Sequence, residues 1–176
     1  MKKTIDSKTL TLSGMFLALA LVMPFLTGQI PQIGSMLCPM HIPVLLCGFF
    51  CGGTMGFLVG LIAPVLRSFL FGMPPMFPVA ICMAFELAAY GLVSGVLYRK
   101  LPGKKGAVYG ALIVAMVLGR VVWGIAMMAC VSSTGGQFGM EAFLAGAVTT
   151  ALPGIILQLV LIPVVVLAME KHLKEQ

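Results

Sequence analysis

Three ionisable side chains interrupt otherwise apolar runs of this chain: Arg67, Glu86 and Arg120. An ionised group at the centre of a bilayer costs at least about 2.5–3.5 kcal/mol, so such residues face the protein interior and meet a partner. A carboxylate accepts hydrogen bonds, and a guanidinium grips carboxylates and phosphates in a two-point fork. Met83, Glu86 and Tyr90 are spaced by three and four residues and share one helical face, as do Met116, Arg120 and the single tryptophan, Trp123. Gln158 is the only strongly polar side chain deep in the last apolar run, and His41 opens the second run, where it caps a helix or touches a ligand. An aromatic wall with a few convergent polar groups is how small-ligand sites are built. Two readings stand side by side. Glu86 either pairs with Arg120 or Arg67 to lock helices together, or these residues line a pocket. Two positive charges against one negative leave a surplus, and an anionic group on a ligand would compensate it, because a buried unpaired charge is expensive. The candidate substrate-binding residues are Arg120, Glu86, Tyr90, Trp123, Arg67, His41 and Gln158.

Other chemistries have weaker claims. Cys38 and His41, with Cys47 and Cys51 one helical turn apart, have a spacing that metals use. The five cysteines lie mostly in apolar runs, where Cys behaves as a small hydrophobe, so no metal and no cofactor is assigned. No G-x-S-x-G elbow, H-E-x-x-H or phosphate-binding lysine motif occurs, and Asp6 is the only aspartate. The expectation is therefore a protein that is not an enzyme. The net charge of +6 does not point to nucleic acid, because the basic residues flank apolar runs and form no aromatic-interleaved stripe.

The elements that carry these residues are membrane spans. With 60% hydrophobic and 9% charged residues, 176 residues cannot cover a water-facing surface, for which a soluble domain uses roughly 25% charged residues. Runs of about 17 to 25 apolar residues cross a hydrocarbon core. The runs fall at 10–26, 41–51, 53–70, 76–98, 106–131 and 142–169, six in a single transmembrane domain of residues 1–176. The second is short, and the glycine pair Gly52-Gly53 separates it from the third, since glycine readily allows a tight turn. Lys2, Lys3, Lys8, Arg99, Lys100, Lys104, Lys105, Lys171 and Lys174 then lie on one side, which the positive-inside rule makes cytoplasmic, with both termini there. Counted at 1.5 Å per residue, Arg67, Glu86 and Arg120 all fall in the middle or outer half, with Glu86 roughly 15 Å deep. The loops on that outer side, around 27–40, 71–75 and 132–141, are polar without basic residues, as ordinary connections or as a lid over a small polar ligand. Small residues recur every fourth position at Gly14 and Ala18, at Gly52, Gly56 and Gly60, and at Gly91 and Gly95, a spacing that serves internal packing or docking of a partner.

The chain resembles the substrate-binding S components of energy-coupling factor (ECF) vitamin transporters over nearly its whole length. The resemblance rests on six spans in fewer than 200 residues, on Gly14 and Ala18 in the first span, and on the stretch Pro39-Met40-His41-Ile42-Pro43-Val44-Leu45-Leu46-Cys47-Gly48-Phe49 running into Gly52, Gly56 and Gly60. Phe85-Glu86-Leu87-Ala88-Ala89-Tyr90-Gly91 is similar to the family's fourth helix. What the resemblance implies is an all-α membrane bundle in a bacterial plasma membrane. It would bind a small water-soluble vitamin or precursor near the outer face and associate with a transmembrane coupling subunit and two ATPases. Gly14, Ala18, Gly56 and Gly60 would lie on the coupling-subunit interface, with Glu86, Tyr90, Arg120 and Trp123 in the pocket. The nearest group is that of pantothenate and hydroxymethylpyrimidine, and the arginine surplus favours an anionic ligand such as pantothenate. The competing expectations are a stand-alone carrier that moves a small organic anion with protons through Glu86, and a membrane enzyme or assembly protein.

Overall fold

The computed structural model describes residues 6–27, 30, 36–101, 106–136, 139–146 and 150–174, and every regular element among them is helical. Helix α1 is Ser7–Val22, tightened into a 3-10 turn, Met23–Thr27, around Pro24. Helix α2 is His41–Cys51, α3 is Gly53–Phe71, α4 is Ile81–Lys100, α5 is Ala107–Ser133 and α6 is Leu152–Lys174. Five stretches are long and apolar enough to cross a membrane, and α2 is a shorter apolar helix. Much of the predicted polar loop at 27–34, with Lys2, Lys3, Lys104 and Lys105, lies outside the described residues.

One residue, Gly52, separates α2 from α3. Its φ of 92° is open to glycine and disfavoured for any residue with a Cβ. The Arg99 guanidinium fills the space where a side chain would stand, and its Nη2 donates to the Cys51 carbonyl at 3.1 Å. The chain thus folds back on itself, and three glycines close the contact. A Cβ on Gly48 would lie 2.6 Å from the Gly91 carbonyl oxygen, and one on Gly56 would lie 2.6 Å from the same oxygen and 2.8 Å from the Gly48 Cα. Backbones approach this closely only where side chains are missing.

Helix α2 has eleven residues and is about 17 Å long, against a hydrocarbon core of about 30 Å. It need not face lipid, because nine of its residues are buried. Ile42, Leu45 and Phe49 pack with Tyr90, Leu112, Met116 and Ile162. Val44, Cys47 and Cys51 pack with Phe16, Met55, Val59 and Leu87. Helix α2 is therefore the shared centre of both apolar clusters.

Two spans differ from expectation. The run at 76–98 begins with a wide turn, Met76–Ala80, in which Phe77 is extended at φ −119° and ψ 134°, and the regular helix starts at Ile81. Pro78 is the cause, since a residue before proline is driven out of the helical region. The run at 142–169 is not one helix. A five-residue helix, Met140–Leu144, comes first, and α6 starts at Leu152 with Pro153 in its first turn, where a missing N–H breaks no helical bond.

Successive helices alternate in direction. The end of α1, the start of α2, the end of α3, the start of α4, the second half of α5 and the start of α6 therefore gather in one half of the bundle.

Candidate functional site

Glu86 sits one turn into α4 and is 1% exposed. Its Oε1 lies 3.0 Å from Arg120 Nη1 on α5 and 3.4 Å from His41 Nε2 at the first position of α2. The Tyr90 hydroxyl, one turn further along α4, is within hydrogen-bonding reach of the same carboxylate. The Tyr90 ring meets the His41 ring edge-on, with centroids 5.1 Å apart. Tyr90 also lies flat against α5 at Gly119, where a Cβ would come within 3.1 Å of the ring. Glycine next to Arg120 is thus what lets α4 and α5 close around the cluster.

His41 is placed by a turn. Cys38 adopts φ 47°, and its carbonyl accepts the His41 N–H at 3.0 Å. The same turn brings Cys38 Sγ to 3.7 Å from Arg120 Nη2. Burial pushes the Cys38 thiol pKa up, against the pull of the guanidinium, so the sulfur does not supply a counter-charge. Among the described residues, Glu86 is the carboxylate that balances Arg120.

The polar atoms are close without being saturated. Glu86 Oε1, both ring nitrogens of His41, Arg120 Nε and Gln158 Oε1 are buried with no aligned hydrogen-bond partner. Gln158 comes from α6 and is 1% exposed. Its helical neighbours at −3 and +4, Ile155 and Ile162, pack into the cluster that holds Ile42, Tyr90 and Met116. Near the start of α6, a Cβ on Gly154 would lie 2.6 Å from the Met36 carbonyl oxygen, so α6 presses on the segment leading into α2.

Two predicted site residues make other contacts. Arg67, near the end of α3, donates from Nη1 to the Leu21 carbonyl of α1, and its guanidinium lies 4.8 Å from the Phe25 ring and 5.3 Å from the Phe71 ring. Its charge is met by a carbonyl dipole and two π faces, so the surplus positive charge expected at the site is elsewhere. Trp123 stacks on Phe143 of the Met140–Leu144 helix at 6.3 Å, and Phe143 rests on Gly124 of α5. Trp123 thus ties that short helix to α5, one turn beyond Arg120.

The family resemblance implies a partner-facing surface for Gly56 and Gly60. Both are buried instead: Gly56 abuts Gly91, and a Cβ on Gly60 would overlap the Leu87 carbonyl of α4. Gly14 and Ala18 are exposed on α1, and a Cβ at Gly14 would meet nothing within 4 Å. The suggested metal ligands separate, because Cys47 and Cys51 pack toward α1 and α3 while His41 turns to Glu86. No group of three or more His, Cys, Asp or Glu gathers among the described residues. Sequence reasoning missed Gly119 as the glycine that admits Tyr90 and Phe143 as the partner of Trp123, and it weighed Cys38 only as a metal ligand. Of these only Cys38 had a signal, its closeness to His41.

The arrangement is a net-neutral pair with a histidine and a tyrosine, drawn from α2, α4 and α5, and the buried Gln158 of α6 lies on a helix face that packs into the same apolar cluster as Tyr90. It can offer both donors and acceptors to a small polar molecule. A family model described as "ECF transporter, substrate-specific component" matches residues 8–166. Comparison with curated proteins and with solved structures gives no match.

Proposed function

From the premise that this chain belongs to the family of substrate-specific components of ECF transporters, we propose that Glu86, Arg120, His41, Tyr90 and Gln158 capture a small water-soluble vitamin or precursor. The partners in this proposal are a transmembrane coupling subunit and two ATPases, and the half of the bundle holding the cluster faces outward. The basic residues at the opposite end support that orientation, with both termini cytoplasmic in a bacterial plasma membrane.

The observation that carries the proposal is the set of buried polar atoms around the Glu86–Arg120 pair that lack aligned partners. A buried unsatisfied polar group costs about 1–3 kcal/mol. Hydrogen bonds from a bound molecule would offset several such costs at once.

The ligand follows from the charge count. Pantothenate was favoured because two arginines faced one acid, and Arg67 lies apart. A net-neutral molecule with donors and acceptors along one edge, of the hydroxymethylpyrimidine kind, suits a neutral pair better. Pantothenate is the comparison ligand. Calorimetry on the purified protein with both compounds, together with mass spectrometry of small molecules that co-purify, tests the proposal. Binding of hydroxymethylpyrimidine over pantothenate is expected. A protein that binds neither compound and carries no small molecule would refute capture at this cluster. Uptake by liposomes without ATPases, driven by a pH gradient, would instead establish the stand-alone carrier.

A further inference from the structure

On the outside of the bundle, Leu92, Val93, Val96 and Leu97 of α4 and Val114 and Leu118 of α5 line an open groove of about 330 Å³ with wholly apolar walls. Leu92, Val96, Val114 and Leu118 are exposed, as lipid-facing side chains are. The lining residues repeat every four positions on each helix, so the groove runs along the helix axes rather than across them. One further turn along α4 from Val96 is Lys100, which is exposed. One turn back along α5 from Val114 is Gly110, where a Cβ would meet nothing within 4 Å. The groove therefore opens at its end, beside a cation. Arg99, the neighbouring basic residue, donates to the Cys51 carbonyl and covers Gly52, so that among the described residues Lys100 is the cation on the line of the groove.

We propose that this groove is a binding site for an anionic phospholipid, with one acyl chain between α4 and α5 and the phosphate on Lys100. A lysine at a helix end is ordinary by itself, because such side chains reach for the interface. The independent observation is a concave apolar track on the same face, directed at that lysine. Charge complementarity selects the occupant: an apolar tail ending in an anion matches apolar walls ending in an ammonium, and a lysine near an anionic lipid surface contributes to such binding. The site is separate from the Glu86 cluster and does not depend on the ligand proposed for it.

Native mass spectrometry of the detergent-solubilised protein tests this with phosphatidylglycerol and phosphatidylcholine of the same acyl chains. The wild-type protein should retain phosphatidylglycerol about five-fold better, the effect of one lysine at a lipid surface. Lys100→Gln should bring the two lipids level, and Val114→Trp, which fills the groove, should lower retention of both. Should Val114→Trp fail to fold, Val96→Trp closes the groove from the other wall. No preference in the wild type, a preference that survives Lys100→Gln, or retention unchanged by a folded groove-filling variant would each overturn the proposal.

Discussion

Glu86 and Arg120 meet at 3.0 Å with unequal access, the acid side chain 2% exposed and the arginine 14%. The carboxylate is the deeper partner, so a molecule approaching the pair reaches the guanidinium first. Its charge is already met from behind by Glu86, and a net-neutral ligand would complete its hydrogen bonds without displacing the acid. A carboxylate ligand would have to compete with Glu86 for Arg120. The same geometry explains why one bundle can bury charge at all, since neither member faces lipid alone.

Removing the acid isolates the arginine. Glu86→Gln should destabilise the protein by about 3–5 kcal/mol, the cost of breaking a buried pair from one side. The double variant Glu86→Gln with Arg120→Met should lose less than the single one. Melting curves in detergent give the comparison, and equal loss in both variants would show that the charges do not depend on each other. Glu86→Gln should also shift the balance of affinities from hydroxymethylpyrimidine toward pantothenate, because the cluster becomes net positive.

The glycines divide by what stands opposite them. Gly60→Ala places a methyl group against the Leu87 carbonyl and should cost about 1–3 kcal/mol, the usual range for overpacking. Gly14→Ala and Ala18→Leu face open space on α1 and should leave the melting temperature unchanged. If α1 is the docking face, Ala18→Leu should lower recovery of the coupling subunit and ATPases in a pull-down. Equal behaviour of Gly60 and Ala18 variants in both assays would count against this division.

Much of the architecture could be read from residue types. Gly52-Gly53 marks the fold-back between α2 and α3 because a positive φ leaves few alternatives to glycine. The membrane's exclusion of charge turns Glu86 toward a polar partner, with Arg120 and Arg67 as the candidates, before any coordinates are known. What the sequence hides is the partner that carries no charge. Arg67 is met by the carbonyl of Leu21, 46 residues away, and by two phenylalanine faces, none of which stands out in a sequence. A count of charges therefore misassigned it. Spacing does not decide Gly56 and Gly60 either, because a four-residue repeat of small residues looks the same whether the opposing helix belongs to this chain or to another. The break before α6 was masked by its apolar composition, with Pro153 the only local mark.

Separate anchoring of Arg67 predicts separate consequences. Arg67→Met should leave ligand affinity within about two-fold of wild type, below the 1.4 kcal/mol of a tenfold change. It should lower stability by about 1–3 kcal/mol through loss of a charged hydrogen bond between α3 and α1. Titration calorimetry and melting on the same preparation separate the two effects. A large loss of affinity without loss of stability would return Arg67 to the binding cluster.

Tyr90 is held in place by what Gly119 lacks. A Cβ at residue 119 would stand 3.1 Å from two carbons of the Tyr90 ring, so even alanine requires the ring to move by a few tenths of an ångström, and valine requires more. The ring already meets the His41 imidazole edge-on at 5.1 Å, so moving it disturbs that contact. Both residues contact Glu86, so the displacement passes directly into the polar cluster. Ligand affinity should fall in the order Gly, Ala, Val at position 119, by about ten-fold for valine, which corresponds to about 1.4 kcal/mol. Tyr90→Phe keeps the ring and removes the hydroxyl, so it separates wall from hydrogen bond: affinity unchanged in Tyr90→Phe but lost in Gly119→Val would make Tyr90 a wall. Unchanged affinity in a folded Gly119→Val protein would remove Tyr90 from the site, because a displaced ring cannot leave a ligand bound against it undisturbed.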